Sequence, residues 1–347
     1  MTFRYIGSKA RFTEEIMKHV GKPIDDAGRF VDVFCGTGAV AAEAHKLGWD
    51  VWINDHLISA VTMASARMMG FKQAKFLNVG GYSSVIEMLN RASGIKGVIW
   101  KEYSPASIKF CDVERRYFTE HNAQKIDGIR NTIFELHLSG KISDFELEVL
   151  IADLISAVNR VANIAGTYGC FLSKWQKQAL SELSMKERDL SNSNSIIETS
   201  NLDAFEIEVK ENDVVYLDPP YTKRQYASYY HILETITIND EPSVEGVCGL
   251  RPWKHKASVF CYKRKALNAL VELITKFNSK NVMLSYSCEG HVALDELVSE
   301  LENTGSVELI PLASIGRYRP NKTASSNGDS VTEYLVKYCK FQVVKNV

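Results

Sequence analysis

Asp218-Pro219-Pro220-Tyr221 ends the apolar run Val214-Val215-Tyr216-Leu217 and holds what is needed to activate an amine on a nucleobase ring. Such an amine is a poor nucleophile, because its lone pair is delocalised into the ring. Acceptors on both amine hydrogens must localise that pair before it attacks a methyl donor. Asp218 offers a charged acceptor and the Pro219 carbonyl a second, while Pro219 and Pro220 fix φ and remove two competing backbone donors. Tyr221 supplies a flat face on which an extruded base can stack. The same residues also read as a strand running into an Asp-Pro-Pro turn with no chemistry. The rest of the chain has to decide between the two.

Elements able to position such a site are legible. Phe30-Val31-Asp32-Val33-Phe34 is an apolar strand leading into Cys35-Gly36-Thr37-Gly38 and a helix-like run from Ala39 to Leu47. A second strand, Val51-Trp52-Ile53, ends at Asn54-Asp55, completing a βαβ start of the doubly wound α/β kind. Further strands are expected at Asn281–Ser285, Val307–Ile310 and Val331–Lys337. Asp32 and Asp218 are 186 residues apart, far more than two βα units of roughly 30 residues need, so something is inserted. Ser143-Asp144-Phe145-Glu146 has the capping-box form, and Leu147, Leu150, Leu154, Ile155, Val158 and Val161 follow at helical spacing. A polar run, Ser191-Asn192-Ser193-Asn194-Ser195, marks a boundary. The expected division is an α/β domain of residues 1–62 and 196–347 around a mainly helical insertion of residues 63–195.

The chain has 347 residues, 45% hydrophobic and 24% charged, with a formal net charge of −1. No apolar stretch is long enough for a membrane span and no signal pattern opens the chain, so a cytoplasmic protein that does not engage a membrane is expected. The seven cysteines lack CxxC spacing and histidine partners; they are expected to be reduced core residues, with neither a metal site nor a disulfide framework. Near-zero net charge argues against a wholly basic nucleic-acid binder, so cationic contacts have to be local.

Gly36, Gly38 and Ala41, with Asp55 nineteen residues beyond the first glycine, satisfy the dinucleotide fingerprint. A nicotinamide enzyme is one reading. Against it stands Asp32, a carboxylate just ahead of the glycines, where a pyrophosphate gains nothing from negative charge. S-adenosylmethionine carries an α-ammonium and a sulfonium and no phosphate, so Asp32 suits it.

Arg4-Tyr5-Ile6-Gly7-Ser8-Lys9, Asp32-Val33-Phe34-Cys35-Gly36-Thr37-Gly38, Asp55, Asp203-Ala204-Phe205 and Asp218-Pro219-Pro220-Tyr221, in this order, resemble the Dam-like, D12-class adenine-N6 DNA methyltransferases in their alpha arrangement. The likeness is clear over residues 1–60 and 196–240 and holds in outline for the later strands. It implies a Rossmann-like, S-adenosylmethionine-dependent methyltransferase sheet with a terminal antiparallel strand, and a target-recognition role for residues 63–195. It places Tyr5, Lys9, Asp32, Gly36 and Gly38 about the methionine end of the cofactor and counts Phe34 among the cofactor-binding residues. Asp55 falls on the ribose, Asp203 and Phe205 at the cofactor's adenine, and Asp218, Pro219, Pro220 and Tyr221 around the target adenine. The expected partners are double-stranded DNA and a cognate restriction endonuclease.

A base inside a duplex must be flipped out to react, with cations tracking the phosphates. Lys223 and Arg224 follow the tetrapeptide directly. Arg251, Lys254, His255, Lys256, Lys263, Arg264 and Lys265 are interleaved with Trp253, Phe260 and Tyr262, and Arg317, Arg319 and Lys322 form a third set. Tyr226, Tyr229 and Tyr230 read either as fillers of the gap in the base stack or as a helix face in a core. Transfer to cytosine N4 or to a base in RNA needs the same acceptors and stays open. A decayed, noncatalytic DNA-binding protein is disfavoured by the intact Asp32, Asp55 and Asp218, and cytosine-C5 chemistry by the lack of a Pro-Cys pair.

Overall fold

The computed structural model describes residues 5–24, 28–193, 195–312, 315–316 and 330–341. The chain divides into two compact units: one gathers Met1–Ile6, Leu57–Asn192 and Tyr226–Ala257, the other Gly7–His56, Ser193–Gln225 and Ser258–Val347.

The second unit is built on a sheet. Its strands are β1 (Phe30–Asp32), β2 (Val51–Asn54), β3 (Ile197–Ser200), β4 (Val214–Leu217), β5 (Asn281–Ser287), β6 (Gly305–Pro311) and β9 (Glu333–Lys340), in the order β3-β2-β1-β4-β5-β9-β6. The first five are mutually parallel, and β9 runs antiparallel to both β5 and β6. The mixed α/β sheet with a reversed terminal strand is thus the expected one. β1 and β4 are buried throughout, as central parallel strands covered on both faces must be, which is why each reads as an unbroken apolar run. β3 is an edge strand with an exposed Glu198-Thr199 centre, too polar to stand out in the sequence. One face packs Val31, Val215, Leu217, Val282 and Leu284 against Leu270 and Leu273 of helix Lys263–Lys276 and Leu297 and Leu301 of helix Leu294–Glu302.

The expected strand Val331–Lys337 is divided. β7 (Ile315–Gly316) pairs with β8 (Ser330–Val331), and the sheet strand β9 begins at Glu333. Because β9 is reversed, its first residue pairs with Ser287, the last residue of β5, and so lies at the carboxyl edge of the parallel strands.

The first unit is helical. Ser143 and Glu146 form the expected reciprocal cap of helix Asp144–Val161, an arrangement that stabilises a helix start by about 1 kcal/mol. Leu150, Leu154, Ile155, Val158 and Val161 are buried in the core it shares with helix Glu120–Leu138. The long segment of this unit starts at Leu57, and the unit also takes in Tyr226–Ala257, which the sequence division leaves with the sheet. A non-local contact explains the difference: Glu234, on helix His231–Ile238, accepts the N–H groups of Ile58 and Ser59 at 3.1 and 2.9 Å, capping helix Ile58–Met68. Tyr226 and Tyr230 take the core reading. Their hydroxyls bond the carbonyl and the N–H of Ile6 at 3.0 and 2.7 Å, and Tyr5 stacks on Tyr230 with centroids 4.3 Å apart.

The cysteine expectation is corrected. Cys170 and Cys248 form a disulfide, with Cα atoms 5.1 Å apart and a sequence separation of 78. Cys35 and Cys261 are buried free thiols, Cys111 is half-buried, and Cys288 and Cys339 are exposed. A pairing made by tertiary approach of two loops leaves no spacing signature. No helix among the described residues is long and apolar enough to cross a membrane.

Candidate active site

β1 and β4 are neighbours, and the chain leaves them toward opposite halves of the sheet, making their carboxyl ends the topological switch point where open α/β sheets bind ligands. Asp32 ends β1 and pairs in register with Tyr216 of β4; Asp218 follows β4 directly. Lys9 reaches this edge from the amino-terminal segment with 3% of its side chain exposed. Its Nζ lies 3.0 Å from Asp218 Oδ1 and 3.5 Å from Glu333 Oε2. The same ammonium donates to the Tyr221 hydroxyl at 3.2 Å, and that hydroxyl donates to Glu333 Oε1 at 3.4 Å.

Burial pushes the Asp218 carboxyl up to about 6 against the opposing pull of Lys9, and the Glu333 charge adds to the rise. Burial alone would lower Lys9; Asp218, Tyr221 and Glu333 reverse this and hold it firmly as an ammonium. Below them Tyr216 shares a 2.6 Å buried hydrogen bond with Ser285 of β5. Tyr221 packs at a tilt on Tyr286, centroids 5.3 Å apart. Glu333 and the Tyr216–Ser285 pair were not singled out in the sequence: an acid at the start of a distant strand looks like any surface residue until β9 is threaded beside β5.

Asp32 accepts the backbone N–H groups of Phe34 and Ala41, and burial followed by the charges of Asp218 and Asp55 lifts its carboxyl well above the usual range. Its Oδ1 is buried without a hydrogen-bond partner. A carboxylate oxygen without a donor, close enough to two other carboxylates to feel their charge, suits a cationic ligand group. Gly36 and Gly38 are left-handed, with φ 51° and 69°, a conformation glycine adopts without strain. Asp55 anchors the turn between them by accepting the Gly36 N–H at 3.0 Å. Asn54 ties three strand ends together, donating to the carbonyls of Val33 and Leu202 and accepting from Leu202 N–H and the Ser200 hydroxyl. This fixes the approach to Asp203, which caps the turn Ala204–Glu206 by accepting the Phe205 N–H at 2.9 Å.

Phe205 stacks on Phe260 at 5.9 Å, and Phe34 meets Phe260 edge-on at 5.6 Å. Phe260 is therefore a buried member of this aromatic group rather than part of a nucleic-acid face. Tyr5 packs within the helical unit.

The cationic residues sort by their partners. Lys223 and Arg224 are exposed directly after the tetrapeptide, in a loop held by reciprocal hydrogen bonds between the Gln225 side chain and the backbone of Ser258. Lys263, Arg264 and Lys265 are exposed in the first turn of their helix, where the macrodipole disfavours positive charge, so they do not stabilise the helix start. Lys254 is exposed in the helical unit. Arg251 and Lys256, expected as phosphate contacts, are engaged by acids of their own unit: Arg251 grips Asp240 through two nitrogens, at 3.1 and 2.7 Å, and Lys256 pairs with buried Glu234 at 2.9 Å. Arg317, Arg319 and Lys322 lie outside the described residues. Among the described residues no His/Cys/Asp/Glu group is placed to hold a metal ion.

A family model, D12 class N6 adenine-specific DNA methyltransferase, matches residues 5–298. The type II methyltransferase M.FokI of Planomicrobium okeanokoites is 36% identical over 339 residues, covering 96% of this chain and 52% of the relative. The modification methylase StsI of Streptococcus sanguinis is 32% identical over 93% of the chain and 50% of the relative. The type II methyltransferase M.NlaIII of Neisseria lactamica is 29% identical over 95% of the chain and 97% of its own length. The chain thus spans about half the length of the first two and nearly all of the third.

Proposed function

We infer that this chain, which belongs to the D12 class of N6 adenine-specific DNA methyltransferases, transfers a methyl group from S-adenosylmethionine to the N6 amine of an adenine flipped out of duplex DNA. The observation that carries this reading is the switch-point pair: Asp218 held by Lys9 at the end of β4, next to the orphaned Asp32 oxygen at the end of β1.

The residues fit the cofactor. Asp32 would receive its α-ammonium, the left-handed glycines let the backbone approach closely, and Asp55 would receive the ribose hydroxyls. Asp203 and the Phe34–Phe205–Phe260 group would border its adenine. When bound, the cofactor supplies an electrophilic methyl on a sulfonium. Asp218 and the Pro219 carbonyl each accept one amine hydrogen of the target base, and Tyr221 bounds the face of its ring. On transfer of that methyl to the amine, the surplus amine proton would leave by way of Asp218 to water. Lys9 keeps Asp218 oriented. Placement of acceptors, rather than strong general-base catalysis, is the protein's contribution.

Lys223, Arg224, Lys263 and Arg264 would hold phosphates about the flipped nucleotide, and the inserted helical region, residues 63–195, would select the sequence. The name of the StsI relative as a modification methylase supports a place beside a cognate restriction endonuclease.

The test supplies methyl-labelled S-adenosylmethionine with mixed duplex DNA or total RNA and identifies the labelled nucleoside after digestion, with Asp218→Ala as control. N6-methyl-2′-deoxyadenosine from DNA, absent with the variant, is the expected result. Label in RNA, in N4-methylcytosine, or undiminished in the variant would overturn the reading.

A further inference from the structure

Among the described residues, Glu333 is a charged side chain at the catalytic edge that the mechanism above leaves without a task. It owes its place to the reversal of β9, which sets the first residue of that strand opposite the last of β5. Its two oxygens lie at 3.4 Å from the Tyr221 hydroxyl and 3.5 Å from Lys9 Nζ, and Oε2 is buried with no hydrogen bond of its own. A carboxylate kept for the fold is built otherwise: Glu234 collects two backbone N–H groups, a hydroxyl and a lysine. Glu333 instead shares its one cation with Asp218.

We propose that Glu333 is a positioning residue for methyl transfer: it competes with Asp218 for the Lys9 ammonium, so that Asp218 retains an acceptor for the target amine instead of being quenched by its own ion pair. The inference rests on the function proposed above. An ammonium between two carboxylates satisfies each incompletely, and the less it binds Asp218 the better Asp218 localises the amine lone pair. Lys9 and Glu333 act on Asp218, and Asp32 at the end of the neighbouring strand is coupled to it as a third carboxylate; Asp218, Tyr221, Glu333 and Tyr216 act on Lys9. From the neighbouring segment, His291 touches the cluster through its backbone N–H, which donates to the Tyr221 carbonyl at 2.9 Å.

The test is Glu333→Gln, which keeps shape and acceptor and removes charge. Carbon-13 carboxyl titration, with the Asp218 signal assigned by its loss in Asp218→Asn, reads the coupling without turnover. The Asp218 midpoint is expected to fall by at least about 0.5 pH units, because a neighbouring negative charge is gone. The single-turnover methylation rate is expected to fall about tenfold or more, equivalent to ~1.4 kcal/mol, with its acid limb moved to lower pH and cofactor affinity and DNA KM within about twofold. An unmoved midpoint together with a wild-type rate overturns the proposal, as does a rate loss matched by an equal loss of cofactor affinity. If wild type itself transfers no methyl group the proposed function falls, while the titration still decides the coupling. Should Glu333→Gln not fold, Glu333→Asp draws the charge back by one methylene: a slowed transfer at wild-type cofactor affinity supports the proposal, and a wild-type rate overturns it.

Discussion

Both units bury carboxylates, and they treat them differently. In the helical unit Glu234 takes four donors, Asp153 takes the Tyr82 hydroxyl and Arg188, and Asp127 takes the N–H groups of Ile99 and Trp100 with Arg130 at 3.7 Å. At the edge of the sheet unit Asp32 leaves an oxygen without a partner, and Asp218 and Glu333 divide one lysine. A displaced pKa does not separate the two groups, since burial pushes Asp127 up to about 6, as it does Asp218. Donor supply does. A buried acid with its donors in place is spent on the fold, whereas one short of donors retains free energy for a ligand.

The largest effect that could break this comparison is at Asp218. Asp218→Asn is expected to lower single-turnover methylation by about 10³-fold, with cofactor affinity within about threefold by calorimetry. In the wild type the ionised carboxylate is the acceptor, so the rate should fall as pH drops through about 6, the value at which Asp218 takes up its proton. A flat profile down to pH 5 would remove Asp218 from the role.

Asp32→Asn tests the orphaned oxygen. Loss of its charge should weaken S-adenosylmethionine binding by about 10–100-fold, ~1.4–2.7 kcal/mol. It should also raise the melting temperature of the cofactor-free protein at pH 8, because a carboxylate whose folded pKa is raised destabilises the fold once ionised. A lowered melting temperature would place Asp32 with the structural acids.

Lys256→Ala examines the satisfied side. Burial raises Glu234, but Lys256 and the Ser59 donors bring it below its usual range. That stability is present above the unfolded carboxyl pKa and is lost as pH falls through the folded value. The variant should lose about 2–3 kcal/mol near neutral pH, with the deficit shrinking in acid and cofactor affinity unchanged. The smallest effect is expected at Lys263→Ala and Arg264→Ala. Each should weaken DNA binding evenly across sequences and reduce the slope of log affinity against log salt by about 1; an unchanged slope would remove these cations from the DNA face.

Much of the sheet was legible because its central strands are short apolar runs ending in chemistry: Val214–Leu217 ahead of Asp218, and Phe30–Asp32 ahead of the glycine turn. The polar edge strand β3 and the break at Thr332 were not, since neither carries a periodic apolar signal. Arg251 and Lys256 looked like a nucleic-acid patch because a charge run does not disclose its partners; Asp240 and Glu234 reach them through helix packing.

Local rules therefore determined, from sequence alone, the tetrapeptide with its fixed φ angles, the glycine turn after the first strand, the Ser143–Glu146 cap and the apolar strands. Each depends on residues within a few positions of one another. Tertiary structure decided what depends on distant partners: the Cys170–Cys248 bridge, the return of Tyr226–Ala257 to the helical unit, and the sharing of Lys9 between Asp218 and Glu333. The last arises because a reversed strand carries a residue 115 positions after Asp218 back to the same edge, and no local property of the chain encodes that approach.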